Sequence, residues 1–390
     1  MIKYLFTLFV SVFFSVLLFA QERFQITHGP YLQALDETSV SILWTTNRTG
    51  VSWVELAPED GSHFYRTERP KYFATDQGFK TKDTLHHVRI DGLQPGTTYR
   101  YRIYSQEVLS HEWYTVQYGR IAATQVYQRE PLRFTTADSD AKTTTFAVIQ
   151  DIHQKNDVMK KLLAQVDFDN NDFVVFNGDM ASFFLTQKQM FDSFMDTAVE
   201  LFASQHPMYY ARGNHETRGP FADKFRHYFP AKSGELYYLL RRGPVCFVVL
   251  DSGEDKPDSD IEYSGLADFD AYRTKQAVWL KEALKSPAYV NAPYKVVICH
   301  MPPVEGWHGA AEITEKFIPL LNEAGVQVML SGHLHRNINV PTDSRTHAFP
   351  VLVVSNTSIL KGKADDKQLL LEVYDMEGKK VDSMTLAPKR

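Results

Sequence analysis

The chain has 390 residues, 44% hydrophobic and 23% charged, a balance that excludes a disordered chain and leaves room for two domains. Its formal charge of −5 excludes a nucleic-acid binder working through a basic surface. The two cysteines, Cys246 and Cys299, cannot build a disulfide framework; both sit inside apolar runs, where a free thiol behaves as a small hydrophobe.

At the N-terminus, Met1-Ile2-Lys3 sets one positive charge ahead of an apolar run from Tyr4 to Phe19 that closes on Ala20. A charged start, an apolar middle and a small-residue end predict a secretory signal over residues 1–20, cut before Gln21. The run is shorter than the roughly 20 apolar residues a spanning helix needs, so no stable membrane span is expected. The mature protein is expected to be secreted or periplasmic.

Residues 21–137 read as an all-β sandwich. Alternating runs such as Ser39-Val40-Ser41-Ile42-Leu43-Trp44 and His87-Val88-Arg89-Ile90 are separated by turn-forming clusters, the spacing of short strands. The segment Leu93-Gln94-Pro95-Gly96-Thr97-Thr98-Tyr99 reads as a turn feeding a strand, with Tyr99 placed as a corner tyrosine. With Trp44 on an early strand, this region resembles a fibronectin type III-like module. His86 and His87 alternate across a strand and cannot point the same way, so they read as structural or surface residues. The polar stretch from Ala137 to Thr145 marks a domain boundary.

Residues 144–390 then alternate short apolar runs with amphipathic helices. Phe146 to Ile149 precedes a helix with Val158, Met159, Leu162, Leu163 and Val166 on one face, and Phe173 to Phe176 follows. A later helix carries Ile313, Phe317, Ile318 and Leu321, stops near Gly325 and leads into Val326 to Leu330. Such alternation predicts an α/β domain with helices covering sheet.

Five of these strands deliver a metal-competent residue at or beyond their carboxyl ends, the edge where sites gather in α/β folds. The sequences are Asp151-Ile152-His153, Gly178-Asp179, Gly213-Asn214-His215-Glu216, His300, and Gly332-His333-Leu334-His335. On extended backbone, residues i and i+2 point the same way, roughly 7 Å apart, so Asp151 with His153, and His333 with His335, can address one side of a site. Asp179 is the natural carboxylate to bridge two ions. Imidazole, carboxylate and one amide oxygen, with no thiolate near, suit Zn, Fe or Mn.

In this order the five motifs resemble the calcineurin-like metallophosphoesterases, and the preceding β-sandwich resembles the purple acid phosphatase branch. The resemblance implies a metallophosphatase domain built as a β-sandwich of mixed sheets flanked by helices, with two divalent or mixed-valence transition metal ions. It implies that Asp151, His153 and His335 hold one ion, that Asn214, His300 and His333 hold the other, and that Asp179 bridges. The implied activity is hydrolysis of a small-molecule phosphomonoester by a metal-bound hydroxide, with His215 as general acid. Two features depart from the purple branch: Ser182 stands where its aspartate motif ends in tyrosine, and His153 stands where glycine is usual. A His153-ligated dinuclear site is therefore expected rather than a tyrosinate-bound ferric one.

Other readings stay open beside these. The same site suits a phosphodiesterase, and a secreted binding module with a vestigial metal site is the alternative from another class. Arg212 and Arg218, flanking His215, are candidates to bind phosphate or to pair with surface acids. His308, beside Trp307, is a candidate to line the substrate pocket or a surface loop. Glu216 is placed to steer or buffer His215, Asp251 reads as a loop residue or one that stands behind the ligands, and Glu254 to Glu262 reads as a solvated loop.

Overall fold

The computed structural model describes residues 22–138, 140–304, 306–343 and 345–389; the secretory signal read at residues 1–20 lies outside them. The first strands are β1 (Ile26–Gln33), β2 (Ser39–Pro58), β3 (Lys71–Phe73), β4 (Thr75–Asp76), β5 (Phe79–Lys80), β6 (Asp83–Asp91), β7 (Thr98–Glu112), β8 (Thr115–Ala123) and β9 (Leu132–Thr135). β4 and β5 form a separate ribbon, and the other seven join in one antiparallel network. The long β2 pairs with β1 and β6 through its first half and with β3 and β7 through its second. Both halves enclose one core that includes Leu32, Ile42, Trp44, Val54, Ile90, Ile103 and Phe134. Buried Trp44 donates Nε1–H to Ser105 Oγ at 2.8 Å, because a buried indole N–H needs an acceptor. Tyr99 Oη accepts the Gln94 backbone N–H at 3.0 Å, the bond of a tyrosine corner.

The start of β2 is buried on both faces. Ile42 and Trp44 face their own core, while Leu43, with Tyr31 of β1, joins a second cluster containing Phe176, Phe191 and Tyr228. That second face lies against a helix at residues 187–203, which includes two wider, π-type turns. Tyr31 Oη donates to Tyr228 O (2.9 Å), Tyr209 Oη donates to Leu35 O (2.6 Å), and the His28 ring stacks on Phe191 at 4.2 Å.

The remaining strands are β10 (Thr144–Ile149), β11 (Phe173–Phe176), β12 (Met208–Tyr210), β13 (Tyr238–Arg242), β14 (Val245–Leu250), β15 (Tyr294–Cys299), β16 (Val328–Ser331), β17 (Ile338–Val340), β18 (Val351–Val353), β19 (Ser358–Ala364), β20 (Leu369–Asp375) and β21 (Lys380–Leu386). They form two mixed six-stranded sheets, in the orders β12-β11-β10-β19-β20-β21 and β13-β14-β15-β16-β18-β17. Within them β10, β11 and β12 run parallel, as do β14, β15, β16 and β18. One core, including Val148, Val175, Phe247, Val296, Leu330 and Leu371, draws on both sheets. Helix 156–163 packs with the first sheet through Met159, Leu162 and Leu163, and helices 308–316 and 318–323 pack with the second through Ile313, Ile318 and Leu321. Covered on both faces, the central strands are continuous apolar runs such as Phe173-Val174-Val175-Phe176, as buried parallel sheet requires. Cys246 and Cys299 are free and buried within the outer cluster of the second sheet, and burial pushes both thiols up to about 12.

Candidate metal centre

The loops leaving β10, β11, β12, β15 and β16 meet at one place, and their backbones are bent sharply to do so. Asp151, His153, Asp179, His333 and His335 all have positive φ, between +46° and +69°, a region that costs a non-glycine residue roughly 1–2 kcal/mol. Such conformations persist where the surroundings over-determine them, and here backbone bonds do so. Asp151 N donates to Gly178 O (2.9 Å), His153 N to Asp179 O (3.0 Å) and Gly332 N to His300 O (2.9 Å). Close approach also demands glycine: a Cβ on Gly332 would lie 2.5 Å from Asp151 Oδ2, and one on Gly178, at φ +81°, 2.5 Å from His300 Nδ1.

The result is three overlapping groups of ligand atoms, each within 4.8 Å: Asp151–His153–His335, Asp179–His300–His333 and His153–Asp179–His215. His335 Nε2 lies 3.2 Å from both Asp151 Oδ1 and His153 Nε2. Asp179 Oδ2 lies 3.1 Å from His300 Nε2, 3.9 Å from His153 Nε2 and 3.8 Å from His215 Nε2. Asn214 Oδ1 reaches His333 Nδ1 at 3.1 Å. Asp179 thus stands between the other groups.

The donor set fits bound cations. His300 Nδ1 lies 2.6 Å from Asn177 O, a contact that requires a proton on Nδ1 and leaves Nε2 to face the carboxylates. That Nε2 is buried and hydrogen-bonds to no described residue, although it faces Asp179 Oδ2 at 3.1 Å outside hydrogen-bond geometry. An imidazole nitrogen and a carboxylate oxygen so placed call for positive charge between them, a proton on Nε2 or a cation in its place. The local field agrees: burial opposes charge on His300, but the Asp179 and Asp151 carboxylates outweigh it and push the pKa up to about 10. For Asp179, burial resists ionisation, and the His300, His215 and His153 rings still hold it below the usual carboxylate range. Burial lowers His153 to about 4, which keeps that imidazole neutral and able to ligate. The donors are oxygen and imidazole nitrogen, the set that suits Zn, Fe or Mn.

His215 sits at the rim. Its Nδ1 is 3.0 Å from Ser182 O, which turns Nε2 toward Asp179. Ser182 Oγ also lies 3.2 Å from His153 Nδ1, placed to accept that N–H and leave Nε2 free, so this residue orients two imidazoles at once. Arg218 Nη1 stands 3.4 Å from His215 Nε2, held by Glu254 at 3.0 Å and Asp255 at 3.1 Å. Asn214 Nδ2 lies 3.4 Å from Asp255 Oδ2, which aims the amide oxygen at His333. Glu254 and Asp255 are buried, so the solvated loop expected from Glu254 to Glu262 is corrected at its start: Arg218 compensates both acids. Glu216 does not steer His215. It accepts the backbone N–H groups of Asp179, Met180 and Gly213 and the Tyr210 hydroxyl, at 2.8–2.9 Å.

The structure does not bring Arg212 or His308 into this cluster. Arg212 pairs with buried Asp251 at 2.9 Å and lies over the Phe269 and Tyr272 rings, which gives Asp251 a structural partner. His308, at the start of helix 308–316, lies 2.9 Å from Asp270 through Nε2. Sequence reading missed Ser182, Glu254 and Asp255 as site-building residues, since their roles depend on loops meeting across the fold; the one signal for Glu216 was its place beside Gly213-Asn214-His215.

Residues 144–337 match the calcineurin-like phosphoesterase family, and residues 29–118 match the purple acid phosphatase N-terminal domain. The chain carries a calcineurin-like phosphoesterase domain behind a purple acid phosphatase N-terminal domain. It is 24% identical to purple acid phosphatase 18 of Arabidopsis thaliana over 343 residues, covering 81% of this chain and 66% of that protein. It is 27% identical to purple acid phosphatase 22 of the same plant over 281 residues, covering 68% and 54%. The chain thus spans between about half and two thirds of the length of the curated relatives it matches. Among solved structures, GAP50, an anchor in the inner membrane complex of Plasmodium, matches with a TM-score of 0.47 at 13% identity, covering 64% of this chain and 90% of that one.

Proposed function

We propose that the protein is a dinuclear metal-dependent phosphoesterase that hydrolyses phosphomonoesters, with His215 as general acid. The observation that carries this reading is the buried His300 Nε2, held 3.1 Å from Asp179 Oδ2 outside hydrogen-bond geometry, among overlapping groups of imidazole and carboxylate. Asp151, His153 and His335 would hold one ion and Asn214, His300 and His333 the other, with Asp179 between them. Two cations there would supply Lewis acidity, lowering the pKa of a water and drawing charge from the phosphoryl oxygens.

The chain's own groups do the rest. Hydrolysis forms one P–O bond from water and breaks the P–O bond to the alcohol, so a proton must reach the departing oxygen. Ser182 O holds His215 Nδ1–H and leaves Nε2 to carry that proton. Asp179 Oδ2 lies 3.8 Å away, and Glu254 and Asp255 pair with the neighbouring Arg218 cation. Secretion or export to the periplasm, read from residues 1–20, is part of the same proposal; among the described residues no helix is long and apolar enough to cross a membrane.

His215→Ala tests the acid role. Both metals should remain bound, and turnover of an alkyl phosphate should fall at least tenfold further than that of p-nitrophenyl phosphate, whose leaving group needs little protonation; roughly 10²–10⁴-fold is the range for a lost general acid. Equal losses on the two esters, with metals retained, would count against it.

A further inference from the structure

The segment after Ser182 holds two large apolar side chains out toward solvent beside His215. Phe183 is 50% exposed and Leu185 51%, while Phe184 between them is fully buried against Phe194 and Phe225. The segment is also pinned through its backbone: Phe184 N donates to Arg218 O (2.8 Å), Phe184 O accepts from Phe221 N (2.9 Å), and Leu185 N donates to Gln189 Oε1 (3.1 Å). Single exposed apolar residues are ordinary. These two differ in being fixed, by a buried anchor and three hydrogen bonds, at the edge of the metal-ligand cluster.

The Phe183 ring meets the His215 ring edge-on, with centroids 6.5 Å apart and planes at 81°. His215 is the group read as protonating the departing oxygen, so whatever that oxygen carries must pass the neighbours of His215. We propose that Phe183, together with Leu185, forms the leaving-group subsite, and that the preferred substrates are phosphomonoesters of alcohols bearing an aromatic or other flat apolar group. This rests on the phosphoesterase reading and adds the class of alcohol. A half-exposed ring held in place gains contact from a flat apolar group with little ordering cost.

The test compares benzyl phosphate with ethyl phosphate, using metal-restored protein. Both esters release primary alkoxides, so they make a similar demand on His215 and differ in the ring. The wild-type protein should show the higher kcat/KM on the benzyl ester. Phe183→Ala should lower the benzyl-to-ethyl ratio of kcat/KM by about three- to tenfold, the scale of one lost aromatic contact, whereas Phe183→Tyr should keep it. Melting temperatures of both variants establish that they are folded. A ratio within twofold of wild type in Phe183→Ala, with both esters still hydrolysed, would overturn the subsite and leave the phosphoesterase reading standing. Failure of the wild-type protein on both esters would overturn the two together.

Discussion

Glu216 follows His215 by one position and works in a different direction. Its buried carboxylate gathers three backbone N–H groups from the loops after β11 and β12 and the Tyr210 hydroxyl from β12 itself, tying the turn that carries Asp179 to the turn that carries Asn214. Burial raises its pKa, and the charge of Asp179 adds to the rise, yet the four donors need an acceptor. Glu216→Ala would leave them unsatisfied, and the expected loss in a denaturant titration is about 3–5 kcal/mol. Glu216→Gln should not rescue it, because the new amide N–H₂ would face donors. Wild-type stability in both variants would contradict this role. Nothing in the local sequence separates a carboxylate that steers a neighbouring imidazole from one that holds two loops together; the tertiary fold decides.

At the scale of the element, the site depends on strand exits that turn at once into left-handed backbone. The ligand-bearing exits were legible in the sequence because each hangs from an apolar run long enough to mark a buried strand, with a fixed short offset to the polar residue. The left-handed turns at Asp151, Asp179 and His333 were not, since Asp and His, though enriched at positive φ, still adopt right-handed or extended backbone in most places. Nor was the pairing of Arg212 with Asp251, which joins the exit of β12 to that of β14. Gly332→Ala tests the exit geometry: its Cβ would lie 2.5 Å from Asp151 Oδ2 and must displace that carboxylate. Metal content measured by mass spectrometry should drop below two ions per chain while circular dichroism stays that of the wild type. Two ions retained would contradict the tight packing of β16 on β10.

For the whole molecule, the two sequence patterns, alternating strands and then strand–helix alternation, were legible as separate blocks. Their joint core was not, because the fit of Tyr31 and Leu43 against Phe176, Phe191 and Tyr228 depends on side chains far apart in the chain. A shared core makes one cooperative unfolding transition the expectation. It also makes the acid stability of the N-terminal sheet a property of the whole. Burial lowers the pKa of His86 to about 4, against about 6.5 when unfolded. The unfolded chain therefore binds the extra proton between those values, so this contribution is intact above pH 6.5 and is lost progressively as pH falls toward 4. The steepest part should cost up to roughly 1.4 kcal/mol per pH unit, read from melting curves of chelated protein. His86→Gln should flatten the dependence in that window; an unchanged slope would assign the loss to other groups.

The most direct test of the central reading is metal counting joined to turnover on purified protein. After chelation and add-back of Fe, Zn or Mn, the protein should hold two ions per chain. Hydrolysis of p-nitrophenyl phosphate should vanish with the metals and return with them, and should exceed that of the bis-ester. A chain that takes up both ions yet hydrolyses neither ester, or one that hydrolyses the monoester equally well without them, would contradict it.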